Sequence, residues 1–282
     1  MSTVAFWSPL QGGSGSTAHI TSVATMIGLE YKVRMLLGHG GVAGERVEGA
    51  FHTGKVALDD AFISFNDCGM DALERLCLNR RLNKENIRDY TVPLMLDRLD
   101  FVGGNAKREG TLPGYRAQLL QSILTLANQY YDLVLMDAGC GTHDIDAKGD
   151  GAILEAADLI VVSLTQNIQA LENFFSGNNL PRALQNKPYI VVVGRYDRQS
   201  HCTLQNVKRR FGFKGHLHGI PYSTDFMDAW NMKAVLPFIQ RSRHMNSQHP
   251  SASFFDSIRG LAKDIMEQLH LTASVKIMER GA

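Results

Sequence analysis

The sequence has no apolar run long enough to span a bilayer. Stretches such as Leu159 to Val162 and Ile190 to Val193 fall far short of the ~20 residues a crossing helix needs, so membrane contact is expected to be peripheral at most. It also has no excess of one charge. Lys and Arg total 29 and Asp and Glu 28, a formal net charge of +1, which excludes a strongly basic nucleic-acid coater and an acidic tail protein. Cys68, Cys77, Cys140 and Cys202 include no C-x-x-C pair, and 282 residues bury enough core to fold without staples. Reduced thiols and a cytoplasmic location are expected. The N-terminus lacks a basic n-region and reaches Gly12-Gly13 too soon for a signal peptide. Repeats, low-complexity tracts and convincing linkers are missing, so one domain over residues 1–282 is expected.

What is present is alternation. Short, nearly continuous apolar runs occur at Val4 to Trp7, Val33 to Leu37, Leu99 to Gly103, Leu133 to Met136, Leu159 to Leu164, Ile190 to Gly194 and Leu217 to Ile220. Strands apolar on both sides belong to a parallel sheet covered on both faces. Between them, Thr17 to Leu29, Tyr115 to Asn128 and the segment from Phe254 to Leu269 carry helical periodicity, the last led by Pro250-Ser251. The expected class is α/β: a doubly wound, mostly parallel sheet with helices on both faces. The Gly-rich stretch Gly38 to Lys55 reads as a long surface loop.

Pro9-Leu10-Gln11-Gly12-Gly13-Ser14-Gly15-Ser16-Thr17 follows the first strand and opens the first helix. Glycines there let backbone N–H groups turn towards an anion, and the helix N-terminus adds unsatisfied N–H groups and its positive dipole end. By itself the segment is either a phosphate cradle or a plain Gly/Ser-rich turn.

The loop resembles the deviant Walker A motif (Lys-Gly-Gly-x-Gly-Lys-Thr) of the MinD/ParA group of P-loop ATPases, with Gly12, Gly13, Gly15 and Thr17 matching. Tyr131 to Asp137 resembles that group's Walker B strand, and Asp137 to Gly141 its switch II. Ala157 to Val162 is similar to its next core strand, and Ile220-Pro221-Tyr222 with Ala229 to its segment beside the adenine. The resemblance implies that ATP or ADP is held by Gln11, Gly12, Gly13, Ser14, Gly15, Ser16, Thr17, Asp137, Gly141, Arg195, Pro221 and Tyr222, with Mg²⁺ on Thr17 and Asp137. It also implies a homodimer. Among its members, those similar to TadZ and CpaE, which localise pili and often carry eroded P-loops, come nearest.

The departures bear on chemistry. Leu10 stands where a P-loop has its first Gly, Gln11 replaces the signature Lys, and Ser16 replaces the Lys that pairs with the β- and γ-phosphates. Gly38-His39-Gly40 occupies the place of an Asp-x-Asp that helps position water, leaving His39 as the one polar side chain there. Hydrolysis is therefore expected to be weak or lost. The implied role is a nucleotide-binding switch or scaffold that positions a pilus, secretion or flagellar assembly, with protein machinery at the membrane as partner. The alternative is a ParA-type segregation protein binding DNA non-specifically through Lys208-Arg209-Arg210 with Lys214 and Arg241 to His244.

Three further features read as structural. Cys140 completes no cluster motif, since the Gly103 to Gly114 loop offers no second cysteine, and no iron–sulfur cluster is expected. His201-Cys202 and His216-x-His218 match no ordinary zinc spacing. The tail Ala273 to Ala282 has a small apolar face, a weak membrane signal.

Overall fold

The computed structural model describes residues 1–41, 46–52, 68–105, 113–141, 151–177, 180–246 and 248–271. The tail from 273, the 106–112 part of the Gly103 to Gly114 loop, and 42–45 and 53–55 of the Gly-rich stretch lie outside them.

In chain order the elements are β1 (Ser2–Ser8), α1 (Ser16–Glu30), β2 (Met35–His39), α2 (Met70–Leu78), β3 (Val92–Met95), β4 (Leu99–Val102), α3 (Pro113–Tyr130), β5 (Leu133–Cys140), α4 (Gly151–Ala156) and β6 (Leu159–Thr165). They continue with α5 (Ile168–Phe175), α6 (Ala183–Asn186), β7 (Tyr189–Gly194), α7 (Leu204–Phe211), β8 (His216–Ile220), α8 (Thr224–Asn231), α9 (Val235–Ser242) and α10 (Ala252–Gln268). Short 3₁₀ turns occupy Arg46–Ala50 and Ile87–Tyr90. The strands form one eight-stranded sheet in the order β3-β4-β2-β5-β1-β6-β7-β8. Every pairing is parallel except that of β3 with β4.

The continuous apolarity of the strands follows from burial on both faces. Val4 and Phe6 of β1 join a core with Ile20 and Val23 of α1, Phe226 of α8, Ile239 of α9 and Ile258 of α10. Ala5 and Trp7 point the other way, into a core with Leu73 of α2, Leu120 of α3, Ile153 of α4, Leu171 of α5 and Val207 of α7. One helix position is left underused. Gly260 lies inside α10 and a Cβ there meets nothing within 4 Å. Gly260→Ala is expected to stabilise the protein by ~0.5–1 kcal/mol, read from the urea midpoint.

Two segments depart from the sequence reading. β3 is an edge strand of four residues containing Pro93, and neither its length nor its composition announces a strand. The Gly38 to Lys55 stretch is not surface loop throughout. Val47, Ala50 and Phe51 are buried in the first core, Phe51 bridges to Ala234, and the His52 N–H donates to the Lys233 carbonyl at 2.9 Å. Glycine and charge around these three apolar residues masked their pattern. Among the described residues no helix is long and apolar enough to cross a membrane.

Candidate functional site

At the carboxyl ends of the parallel strands lies a cavity of about 370 Å³. This is the place where open α/β sheets bind ligands, and the volume lies near the lower end of small-molecule sites. Its floor is the loop between β1 and α1. Gly12, Gly13 and Gly15 all take left-handed conformations, with φ of 80°, 78° and 79°. Gly15 is also the N-cap of α1, where no side chain satisfies the free N–H groups of the first turn. Gly12 to Thr17 all line the cavity, and the Ser16 hydroxyl is buried there without a hydrogen-bond partner.

The loop is held from below. Leu10 N–H donates to the Ser8 hydroxyl at 3.1 Å, and Gly141 N–H donates to the Ser8 carbonyl at 2.9 Å. The buried Trp7 indole donates to the Gly141 carbonyl at 3.1 Å. Under the other end, β7 terminates at Gly194, where a Cβ would stand only 2.0 Å from the Ser14 carbonyl oxygen. Only a residue without a side chain lets this strand end approach the loop. Arg195 follows with φ of 50° and lines the cavity, the one Lys or Arg that does so among the described residues.

Thr17 Oγ1 donates to Asp137 Oδ2 at 2.7 Å, and Asp137 Oδ1 accepts the Gly139 N–H at 2.8 Å. Asp137 is fully buried behind Thr17 and is not itself part of the cavity wall. A hydroxyl and a carboxylate side by side form an all-oxygen donor pair, the chemistry that suits Mg²⁺.

Another part of the lining is apolar. Ile220, Pro221, Tyr222, Phe226, Met227, Trp230 and Phe254 form it. Phe226 organises this wall, with ring centroids 4.9 Å from Phe254 and 6.1 Å from Trp230. Ser223 caps α8 by accepting the Phe226 N–H at 3.2 Å, and its hydroxyl meets that of Ser251 at 3.1 Å, tying α8 to the start of α10.

Of the residues singled out from sequence, Gly12, Gly13, Ser14, Gly15, Ser16, Thr17, Arg195, Pro221 and Tyr222 come together around this cavity. Gln11 is exposed beside it, near Gly141, where a Cβ would lie 3.9 Å from the Gln11 amide nitrogen. His39 turns away. It is fully buried, its Nδ1 accepts the Gly41 N–H at 3.0 Å, and its Nε2 lies 3.4 Å from Glu48 Oε2.

The basic triplet Lys208-Arg209-Arg210 occupies the last turn of α7, where positive charge complements the helix dipole, and Arg210 also pairs with Glu172. His216 Nδ1 and His218 Nε2 both lie 2.8 Å from Asp264 Oδ2, joining β8 to α10. Among the described residues, no group of three or more His, Cys, Asp or Glu is arranged to hold a metal.

Sequence reasoning missed Gly194, the aromatic wall and His19. Phe226 and Trp230 stand four apart and signal a helix face, but nothing local says which face meets the loop. His19, in the first turn of α1, is 4% exposed, with Nδ1 3.0 Å from Ser163 Oγ. Burial pushes its pKa from 6.5 down to about 3. The folded protein therefore keeps this imidazole neutral over a range in which the unfolded chain protonates it. Its contribution is intact above pH 6.5 and is lost as pH falls towards 3, at about 1.4 kcal/mol per unit. Glu74 and Asp100, whose carboxyls burial pushes up, act in the opposite sense, so the difference between proteins is what matters. Urea unfolding in EDTA is expected to show the wild-type advantage over His19→Gln shrinking by about 2 kcal/mol between pH 6.5 and 5. A pH-independent difference would show that His19 is not held neutral.

No family model matches the chain, and neither does any curated protein. Solved structures do match. A ParA family ATPase from Chlorobium tepidum TLS superposes with a TM-score of 0.69 at 16% identity, covering 93% of this chain and 98% of its own. The septum site-determining protein MinD from Pyrococcus horikoshii OT3, complexed with Mg-ADP, gives 0.67 at 14% identity, covering 98% and 100%. A putative plasmid partition protein from Borrelia burgdorferi B31, bound to AMPPNP, gives 0.63 at 14% identity, covering 95% and 98%.

Proposed function

We propose that this chain, which has the ParA/MinD P-loop fold, binds an adenine nucleotide in the cavity above the Gly12 to Thr17 loop and serves as a positioning switch or scaffold. The observation that carries the reading is the junction of two unlike surfaces. Left-handed glycines and a helix N-terminus supply N–H groups to one part of the lining, and Phe226, Trp230 and Phe254 supply an aromatic part. An anionic group suits the first surface and a flat aromatic base the second. Thr17 and Asp137 would hold Mg²⁺, which would neutralise phosphate charge.

The positioning role rests on the company of the fold: a septum site-determining protein, a partition protein, and the MinC:MinD cell division complex of Aquifex aeolicus, which matches with a TM-score of 0.63. A pilus, secretion or flagellar assembly is the proposed client. Two copies facing through their loops would bring two neutral Gln11 side chains together, so a homodimer would form without phosphate to screen opposing lysines.

Calorimetry with Mg²⁺ and ADP or ATP tests the site. Loss of both lysines is expected to weaken binding by ~1.5–3 kcal/mol relative to a lysine-bearing loop, the scale of a charge-assisted hydrogen bond. Gly13→Val is expected to remove binding, because valine resists the left-handed conformation that Gly13 adopts at φ 78°. Identical behaviour of both proteins at millimolar nucleotide would mean the loop is not a phosphate site.

A further inference from the structure

The cradle's charge distribution carries a consequence for which nucleotide it takes. In a P-loop the backbone N–H groups hold the inner phosphates, while the loop lysine reaches the β- and γ-groups. Here the two functions have separated. The inner cradle is intact, with Gly12, Gly13 and Gly15 in left-handed conformations and the N-terminus of α1 uncapped. Ser16 stands at the lysine position, 8% exposed, with its hydroxyl unpartnered and among the residues lining the cavity. A serine hydroxyl sits two bonds from Cα and donates one neutral hydrogen bond; it has neither the reach nor the charge of an ammonium group.

No other described side chain takes the lysine's place. Gln11 is exposed and neutral, and the His39 ring nitrogens face Gly41 and Glu48. His19 is buried and committed to Ser163, its Nδ1 3.0 Å from the Ser163 hydroxyl. Arg195 is the one Lys or Arg lining the cavity, and its backbone follows Gly194 at the end of β7, on the side of the loop marked by Ser14. A third phosphate therefore adds negative charge to a partly buried site without a further side-chain cation among the described residues, Mg²⁺ on Thr17 and Asp137 being common to both nucleotides. Desolvation of that group is left with less compensation than a loop lysine would give.

We infer that the cavity selects a nucleoside diphosphate over the triphosphate, an inference that rests on the nucleotide-site reading above. The Ser16 hydroxyl and the first-turn N–H groups of α1 saturate on the outermost phosphate of the diphosphate, and a further phosphoryl group meets no additional cationic side chain among the described residues. The protein would then respond to the diphosphate as its stable ligand, with no gain on exchange for the triphosphate.

The test is calorimetry of wild type with ADP, ATP and AMP at equal Mg²⁺ and fixed ionic strength. The expected result is ADP binding ~3–10-fold more tightly than ATP, with AMP weaker than ADP. ATP binding as tightly as ADP, or more tightly, overturns the inference and leaves the nucleotide site standing. Absence of binding by all three overturns both. Ser16→Lys supplies the missing cation and is expected to reverse the order, favouring ATP by at least tenfold; if it binds ADP and still refuses ATP, the preference does not arise from the charge at this position. The wild-type ratio decides the matter even if Ser16→Lys fails to fold.

Discussion

Phosphate release from ATP is expected to read at background, with or without Mg²⁺. Phosphoryl transfer depends on positioning and on cancelling the charge that spreads over the transferred group. Ser16 has no cation to place against it, and the exposed amide of Gln11 brings at most one neutral hydrogen bond to a facing copy. His39 was the one polar side chain after β2 that sequence offered as a substitute for the missing carboxylate. Its ring is fully buried between the Gly41 backbone and Glu48, so it cannot orient water in the cavity. Loss of one well-placed catalytic charge costs ~10³-fold or more in rate. The three losses need not add, because such groups act as a unit. Steady Mg²⁺-dependent turnover that Asp137→Ala abolishes would sink this expectation and require other side chains to have replaced the lysines.

A single methyl group at position 194 is expected to be nearly as damaging to the site. In Gly194→Ala the new Cβ would lie 2.0 Å from the Ser14 carbonyl oxygen and 3.0 Å from His19 Cε1. The first neighbour is backbone, so relief requires the loop to lift away from β7. Overpacking of this kind costs ~1–3 kcal/mol in stability, and displacement of the cradle should lower nucleotide affinity at least ~tenfold. Gly260→Ala is the matched control, an alanine entering open space on α10. If Gly194→Ala binds nucleotide as wild type does, the loop is not seated on β7 as described.

How much of this was legible beforehand differs between floor and walls. The loop was readable because its chemistry is local: three glycines and a helix start lie within nine residues. Arg195, Pro221 and Tyr222 followed from the resemblance and do reach the same cavity. Gly194 was visible only as the end of an apolar run, and its value depends on Ser14, 180 positions away in sequence but in contact across the sheet. The fold class was legible because parallel strands buried on both faces leave continuous apolar runs. β3 was not, since a four-residue edge strand with Pro93 leaves almost no pattern. His39 shows the limit from the other side: its position pointed to the site, whereas burial and Glu48 decide where its ring goes.

The strand order also bears on how the chain comes to exist. β1 is central, and its partners on either side are β5 and β6. At synthesis rates of about 5–20 residues per second, Leu133 follows Ser8 by on the order of ten seconds. Throughout that interval Val4, Phe6 and Trp7 have no neighbouring strand to shelter them. The glycine loop is attached to β1 and inherits the delay, so the first part of the future site to be made must wait for strands made much later before it takes shape. A nascent chain halted before β5 would carry the complete loop sequence and bind nothing, and it would be a natural client for chaperones that recognise exposed aromatic segments.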